Sequence, residues 1–172
     1  MDWSEKEELT QEEQKGLLQL WNKEYPTVVG HPSLDSLIDY LKNLEAPRHT
    51  LIKMDGQLMV WFSTFNREGA RWFAMIIDER LQGQGLGSQL LSLAKQHHDQ
   101  LLGWATDHDR YTKADGKPYP SPIAFYQKNG FEVVKDQRVE KGQLSAAKIR
   151  WKKGNSQASS PFNPKFSSCP NA

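Results

Sequence analysis

The apolar positions in the first 45 residues repeat with a helical period. Leucine and tryptophan residues between positions 17 and 21 share one face of a segment that begins at Thr10, and Thr10 with Glu13 forms the pattern of a capping box. A second stripe of four leucines and one isoleucine spans residues 34–44, and Ser33 precedes it in the position of an N-cap. The pattern therefore predicts two amphipathic helices.

Between residues 49 and 77 the period shortens to that of β-strands. Asp55-Gly56, a dipeptide typical of tight hairpins, separates two apolar runs. A short turn at 66–69 then leads into Arg71–Ile77, which is almost continuously apolar, as expected for a central strand covered on both faces. We predict three antiparallel neighbouring strands.

The next segments favour a helical crossover. A helical pattern follows a glycine-rich loop at residues 83–87 and ends near His97-His98, and residues 101–107 are typical of a buried strand. A strand reached through a helix runs parallel to its predecessor, so this strand should lie parallel to Arg71–Ile77.

The remaining segments complete the predicted fold. A short helix stops at Asn129-Gly130, and two strands follow near residues 131–135 and 146–151. The pattern predicts an α/β fold, with a mixed, mostly antiparallel sheet of about six to seven strands and helices on both faces. Residues 1–153 should form a single domain, and the small, polar, proline-containing residues 154–172 a flexible C-terminal tail.

Composition narrows the function classes. Lys and Arg number 22 against 21 Asp and Glu, so nothing in the charge balance predicts a nucleic-acid or membrane-surface partner. The single cysteine, Cys169, cannot form an intrachain disulfide, and no signal peptide or membrane span is predicted. We therefore expect a cytoplasmic protein. We also expect no bound metal, because the histidine pair His97-His98 suits the negative end of a helix dipole better than a metal site.

The loop QGQGLG at residues 82–87 is the segment most indicative of a ligand. Glycines at a helix start leave main-chain N–H groups free to bind an anion such as phosphate. A P-loop is excluded because no lysine follows the glycines. A dinucleotide fingerprint is a rival, since Asp107 lies about 20 residues on, but Ser88 occupies the place of its third glycine. A turn without a ligand is the remaining alternative.

Two segments carry a resemblance to a known family. Gln82, Gly85 and Gly87 match a Q/R-x-x-G-x-G/A signature, and SPIAFYQKNGFEVV, about 40 residues later, resembles an aromatic-Tyr-x-Lys-x-Gly-Phe helix end. Together and in this order they resemble the acetyl-CoA-binding and later motifs of the GNAT superfamily of N-acetyltransferases. The resemblance spans roughly residues 72–134.

The resemblance implies a cosubstrate, acetyl-CoA, and the residues that hold it. Its pantetheine arm would pair with exposed backbone on the central strand, and its diphosphate would lie on the main-chain amides of the glycine loop. The cofactor-binding residues implied are Met75, Ile77, Gln82, Gly83, Gln84, Gly85, Leu86, Gly87, Ser88 and Tyr126.

The resemblance also implies the reaction, acyl transfer from a thioester to a primary amine. Tyr126 matches the family tyrosine that would protonate the departing thiolate, and the Ile77 N–H would stabilise the oxyanion. Asp78 and Glu79, where the central strand ends, are candidate general bases. Further acidic residues and a histidine follow the next strand, at residues 107–109, and an ordered water is another option for relaying the proton.

One departure from the family pattern concerns the cofactor contact. Tyr119 stands where family members often carry asparagine, at the end of a long polar loop, residues 108–120. The acceptor is a small-molecule or protein amine of unidentified type, and a homodimer is one option for the assembly. A non-catalytic acyl-CoA-binding or sensor protein of the same fold is the alternative function.

Overall fold

The first two helices begin where the sequence places their capping residues. In the computed structural model, which describes residues 1–154, Thr10 Oγ1 accepts a hydrogen bond from the Glu13 N–H (3.2 Å), and the Glu13 carboxylate accepts one from the Thr10 N–H (2.9 Å). Ser33 Oγ likewise accepts one from the Ser36 N–H (3.2 Å). The helices are α1 (Gln11–Glu24), α2 (Leu34–Lys42), α3 (Leu86–His97) and α4 (Ile123–Lys128), and short 3-10 helices occupy Thr27–Val29 and Glu79–Leu81.

Seven strands form one mixed sheet, which confirms the predicted fold class. The order across the sheet is β1-β2-β3-β4-β5-β7-β6, and within residues 1–154 every neighbouring pair is antiparallel except β4 and β5. The strands are β1 (Asp2–Lys6), β2 (Glu45–Met54), β3 (Gln57–Arg67), β4 (Ala70–Ile77), β5 (Gln100–Ala105), β6 (Glu132–Lys141) and β7 (Leu144–Lys152).

Two parts of the sheet lie beyond the sequence-based prediction. β1 pairs antiparallel with β2, whereas the sequence pattern predicts no strand before the first helix. β6 extends to Lys141, well past the predicted residue 135. Both are edge strands whose side chains are mostly exposed, so they carry no apolar alternation, and charge on an edge strand prevents pairing with other chains.

The helices cover both faces of the sheet. α1 and α2 pack on one face in a cluster that includes Ile76 of β4, whereas α3 and α4 pack on the other with Phe73 of the same strand. β4 is therefore covered on both sides, as its continuous apolar run predicts. Because β4 ends an antiparallel meander, the fold is not the doubly wound sheet that a dinucleotide fingerprint requires.

The predicted C-terminal tail, residues 154–172, lies outside the described residues apart from Gly154.

Candidate active site

The sheet opens between β4 and β5. Their parallel ladder contains a single register pair, Trp72 with Leu102, near the start of β4. Beyond Trp72, β4 stays paired with β3 as far as Ile77, which lies opposite Val60. The two central strands therefore diverge toward their carboxyl ends and leave a gap in the sheet.

The backbone of Met75 and Ile77 faces this gap. Asp78, the next residue along, donates its N–H to a β3 carbonyl (2.8 Å), and antiparallel alternation then turns the main-chain groups of residues 75 and 77 away from β3. The Tyr25 hydroxyl donates to the Met75 carbonyl (3.1 Å), and the Gln82 side-chain amide donates to the Ile77 carbonyl (2.8 Å). The gap is thus edged by main-chain groups that can pair with an extended, amide-containing ligand.

The glycine loop brings free main-chain N–H groups to the same gap. Gly83 (φ 76°) and Gly85 (φ 81°) adopt left-handed conformations that favour glycine. Gly85 is the N-cap of α3, and no side chain among the described residues caps this end of the helix. The first N–H groups of α3 therefore have no partner within the helix and lie at the positive end of its dipole, where an anion is stabilised.

Gly87 is required for a different reason, close packing. A Cβ atom at this position would lie 2.8 Å from Phe125 Cζ and 3.3 Å from Ile77 Cδ1, both closer than ordinary carbon–carbon contacts. The first turn of α3 thus lies directly against α4 and β4. This approach brings the α3 amides next to the diverging strands.

A cleft of about 590 Å³ lies at the gap and is lined by residues from both faces of the sheet. On one face its lining includes the glycine loop and α4, and on the other it includes Glu24 and Tyr25 at the end of α1. Its volume is in the range of small-molecule sites. The cleft therefore extends from the amino end of α3 to an end covered by α1.

Tyr126 lies in this cleft, packed in an aromatic cluster. Its ring lies 5.6 Å from those of Phe73 and Phe131 and 5.1 Å from that of Phe125, and only 8% of the residue is exposed. Burial, together with nearby Tyr119, raises the pKa of the Tyr126 phenol well above its ordinary value. The hydroxyl therefore stays protonated at neutral pH and can donate a hydrogen bond.

Asp78, a candidate base, lies outside the cleft lining. Its carboxylate is 1% exposed, lines a separate cavity between α1 and β3, and accepts hydrogen bonds from Lys23 (2.9 Å) and from the Arg80 backbone and guanidinium (2.9–3.0 Å). The Arg80 hydrogen bonds outweigh burial and hold the Asp78 pKa far below its ordinary range. A carboxylate so paired does not accept a proton near neutral pH.

Glu79 lies at the rim of the cleft rather than in its lining. Its side chain is 40% exposed and within 3.6–4.0 Å of the ammonium groups of Lys23, Lys113 and Lys117. A water would therefore have to bridge its carboxylate to a group inside the cleft.

Sequence reasoning missed Glu24, the one carboxylate that lines the cleft within residues 1–154. Its Oε1 accepts a hydrogen bond from Lys113 Nζ (2.7 Å) and its Oε2 accepts one from the Glu79 N–H (2.6 Å). The sequence did contain one indication of this contact. Glu24 is an acidic residue at the carboxyl end of a helix, where the helix dipole disfavours negative charge, so a tertiary contact is expected to stabilise it.

The long loop at residues 108–120 is ordered by its own hairpin-like bonds. Thr112 and Pro118 form an antiparallel bridge, and the Thr27 N–H donates to the Thr112 carbonyl (3.0 Å), which attaches the loop to the end of α1. Lys113 and Tyr119 extend from it into the cleft. Burial raises the pKa of the Tyr119 phenol to about 12.

The acidic residues after β5 lie outside the cleft lining. Asp107 forms an ion pair with Arg138 (2.7 Å), and Asp109 accepts a hydrogen bond from the Ser121 N–H (2.6 Å). Among residues 1–154 no group of His, Cys, Asp or Glu side chains is suited to hold a metal ion. Within the same range, no helix is long and apolar enough to span a membrane.

The comparison with known protein families decides the assignment. A family model described as an acetyltransferase (GNAT) domain matches residues 47–133. The chain belongs to the GNAT family. The match includes the diverging strands, the glycine loop and Tyr126, so family membership places this GNAT domain among the acyl-CoA-dependent acyltransferases.

Solved structures share the fold of this GNAT domain at low identity. An acyl-CoA N-acyltransferase from Pseudomonas aeruginosa is 23% identical, with a TM-score of 0.60 over 87% of this chain and 98% of that one. Escherichia coli ElaA is 21% identical, with a TM-score of 0.58 over 88% and 100%. An aminoglycoside 6'-N-acetyltransferase complexed with coenzyme A is 12% identical, with a TM-score of 0.64 over 88% and 97%. No curated protein matches the chain.

Proposed function

We propose that this GNAT domain is an enzyme that transfers an acetyl group from acetyl-CoA to a primary amine. The amine attacks the thioester directly, within a ternary complex of protein, acetyl-CoA and acceptor. The observation that carries the proposal is the cleft between β4 and β5, which joins the free amides of α3 on one face to the end of α1 on the other. Such a cleft admits two substrates from opposite faces, so that they meet inside the sheet.

The glycine loop fits the diphosphate of coenzyme A. A Cβ added at Gly83 or Gly85 would meet no described atom within 4 Å, so the approach to these amides is open. We assign the diphosphate to the main-chain N–H groups of residues 83–88, where the helix dipole adds to the hydrogen bonds. Gln82 shapes the loop through its bond to the Ile77 carbonyl.

The pantetheine arm fits the edge of β4. Its amides would pair with the outward-facing main chain of Met75 and Ile77, as an added strand does. The Met75 carbonyl already accepts a hydrogen bond from Tyr25, and a carbonyl oxygen has a second lone pair for the ligand. This pairing would carry the thioester toward Tyr126.

The chemistry requires three groups around the thioester. The acceptor amine, with an ordinary pKa of about 10, must lose a proton before it attacks, and we assign this proton to Glu79 through an ordered water. The Ile77 N–H, which faces the gap, would stabilise the oxyanion. As the C–N bond forms and the C–S bond breaks, the nitrogen releases its second proton. Tyr126 would hydrogen-bond to the departing sulfur and relay that proton to it, which gives a thiol with an ordinary pKa near 8.5.

Two measurements test the proposal. Isothermal titration calorimetry should detect binding of acetyl-CoA but not of NAD, the ligand expected for a dinucleotide-binding fold. Release of the free thiol should then depend on an added primary amine, and Tyr126→Phe should lower kcat about 100-fold or more without weakening acetyl-CoA binding. Tight acetyl-CoA binding without turnover across a broad amine panel would support the non-catalytic binder instead. Absence of acetyl-CoA binding at millimolar concentration would overturn both.

A further inference from the structure

The acceptor end of the cleft lies on the α1 face of the sheet. α1 and α2 pack on one face, and α3, α4 and the glycine loop lie on the other. Glu24 and Tyr25 on α1, together with Lys113, which bonds to Glu24, therefore line the end of the cleft away from the α3 amides. If coenzyme A occupies the α3 end, the acceptor must enter past these three residues.

The charge at this end is already neutralised by the protein itself. Glu24 is 4% exposed, and both of its oxygens are engaged, one by Lys113 Nζ (2.7 Å) and the other by the Glu79 N–H (2.6 Å), with Lys23 Nζ 3.6 Å from the second. Within residues 1–154, no other carboxylate lines the cleft. An ammonium group entering here therefore finds no unpaired anion.

Lys113 is held in place at both its backbone and its side chain. Its N–H donates to the Lys117 carbonyl (2.9 Å) and its carbonyl accepts from the Gly116 N–H (2.9 Å), so a tight turn fixes the residue. Its side chain is only 10% exposed. Burial, the largest single effect, would lower the pKa of the Lys113 ammonium, but the hydrogen bond to Glu24 and the attraction by Glu24, Glu79 and Asp115 together raise it, so the group stays charged.

We propose that Lys113 is a specificity-determining residue that restricts the acceptor to amines carrying no second positive charge. This proposal rests on the acetyl transfer proposed above. Lys113 pairs with Glu24, the only lining carboxylate of the described residues, so no unpaired anion remains to offset the lost hydration of a second cationic group on the acceptor. The attacking amine itself gives up its proton to Glu79 before it reacts, so only a second cationic group would stay charged in the cleft.

The proposal predicts that this chain uses a different class of acceptor from some of its structural neighbours. Several are aminoglycoside acetyltransferases, and an aminoglycoside such as ribostamycin carries several amines. A polycation of that kind needs unpaired carboxylates around it to offset the loss of its hydration. The paired Glu24 of this chain does not supply them.

A pair of matched acceptors tests this restriction. Thiol release with hexylamine and with hexamethylenediamine compares a single amine with a dication of the same length. The wild-type chain should show a kcat/KM for hexylamine about tenfold or more above that for the diamine, after allowing for its second reactive amine. Lys113→Met exposes the Glu24 carboxylate and should shift the ratio about tenfold toward the diamine.

Three further variants separate charge from structural damage. Lys113→Arg keeps the positive charge and should keep the wild-type ratio. Glu24→Gln combined with Lys113→Met removes both charges and should abolish the gain for the diamine. Lys117→Met removes a 65% exposed lysine of the same loop and should leave the ratio unchanged. Melting temperatures show whether each variant is folded.

The outcomes that overturn the inference differ from those that overturn the enzyme. A wild-type preference for the diamine, or a Lys113→Met ratio equal to wild type in a folded protein, excludes Lys113 as the determinant while acetyl transfer stands. If no amine is acetylated, acetyl transfer fails, and calorimetric binding of the same two amines to the coenzyme A complex still tests Lys113. Equal affinities in wild type and Lys113→Met would then refute its role.

Discussion

Substitution of Gly87 tests whether close packing or backbone freedom makes this glycine necessary. Gly83 and Gly85 have positive φ, whereas Gly87 does not. An alanine at position 87 is therefore compatible with the helical backbone, and only a steric clash of its methyl group disfavours it. That methyl group would lie 2.8 Å from Phe125 Cζ, so the ring must recede by about 0.6 Å to reach an ordinary separation of 3.4 Å.

The expected cost of Gly87→Ala follows from these contacts. Overpacking of this kind costs about 1–3 kcal/mol, and the better helix propensity of alanine returns up to about 1 kcal/mol. We expect a net loss of about 1–2 kcal/mol in the free energy of unfolding. The displaced Phe125 ring also lines the cleft, so coenzyme A affinity should fall.

A double-mutant cycle with Phe125→Leu provides the assay. Chemical denaturation gives the four free energies of unfolding, and calorimetry gives the four affinities for coenzyme A. The shorter leucine removes the clashing ring edge, so the two substitutions should couple, with the double variant more stable than the sum of the single effects predicts. Additive effects, or a Gly87→Ala variant as stable as wild type, would refute the packing explanation. Gly83→Ala is the contrasting control. The added Cβ atom would meet no described atom within 4 Å, but the positive φ of residue 83 strains an alanine, so the substitution should cost about 1 kcal/mol in the free energy of unfolding. Phe125→Leu should leave this cost unchanged.

Three further predictions concern charge and protonation. Burial would raise the Glu13 pKa, but its hydrogen bonds to Lys6, Thr10 and Lys53 outweigh burial and lower the pKa to about 2. The charged carboxylate therefore contributes about 3 kcal/mol to the free energy of unfolding above pH 4.5, and this contribution is lost as the pH falls toward 2. Urea denaturation of Glu13→Gln at several pH values should show a lower free energy of unfolding at pH 7 and a smaller loss of that free energy at acid pH. An acid-induced loss as large as in the wild type would contradict this. Burial lowers the His49 pKa to about 4, and its Nδ1 accepts a hydrogen bond from Trp61 (3.2 Å), so protonation should remove up to about 3 kcal/mol as pH falls from 6.5 to 4. His49→Asn, which keeps an acceptor without a basic group, should lose this pH dependence in the same assay. Tyr126→Phe should leave the melting temperature within a few degrees of wild type while lowering kcat, and a large loss of stability with unchanged turnover would show that the hydroxyl serves packing alone.

Local signals were sufficient to predict most of the fold. The capping box at Thr10, the left-handed pair Asp55-Gly56 and the end of α4 at Asn129 depend on residues close together in sequence, and the structure has each of them where the pattern places it. The single parallel pair also follows from local information, because the crossover through α3 requires it. β1 could not be found in this way, since an exposed edge strand has no apolar period.

The sequence by itself determined the family and the glycine loop at the start of α3, because both depend on glycine and aromatic residues at fixed, short spacings. Only the tertiary structure decided which carboxylates are available. Asp78 follows β4 as a candidate base should, but Lys23, 55 residues away, pairs with it, and Lys113 pairs with Glu24 across 89 residues. The protonation and accessibility of a carboxylate depend on the charges that the fold brings within a few ångströms, and no spacing along the chain encodes those contacts.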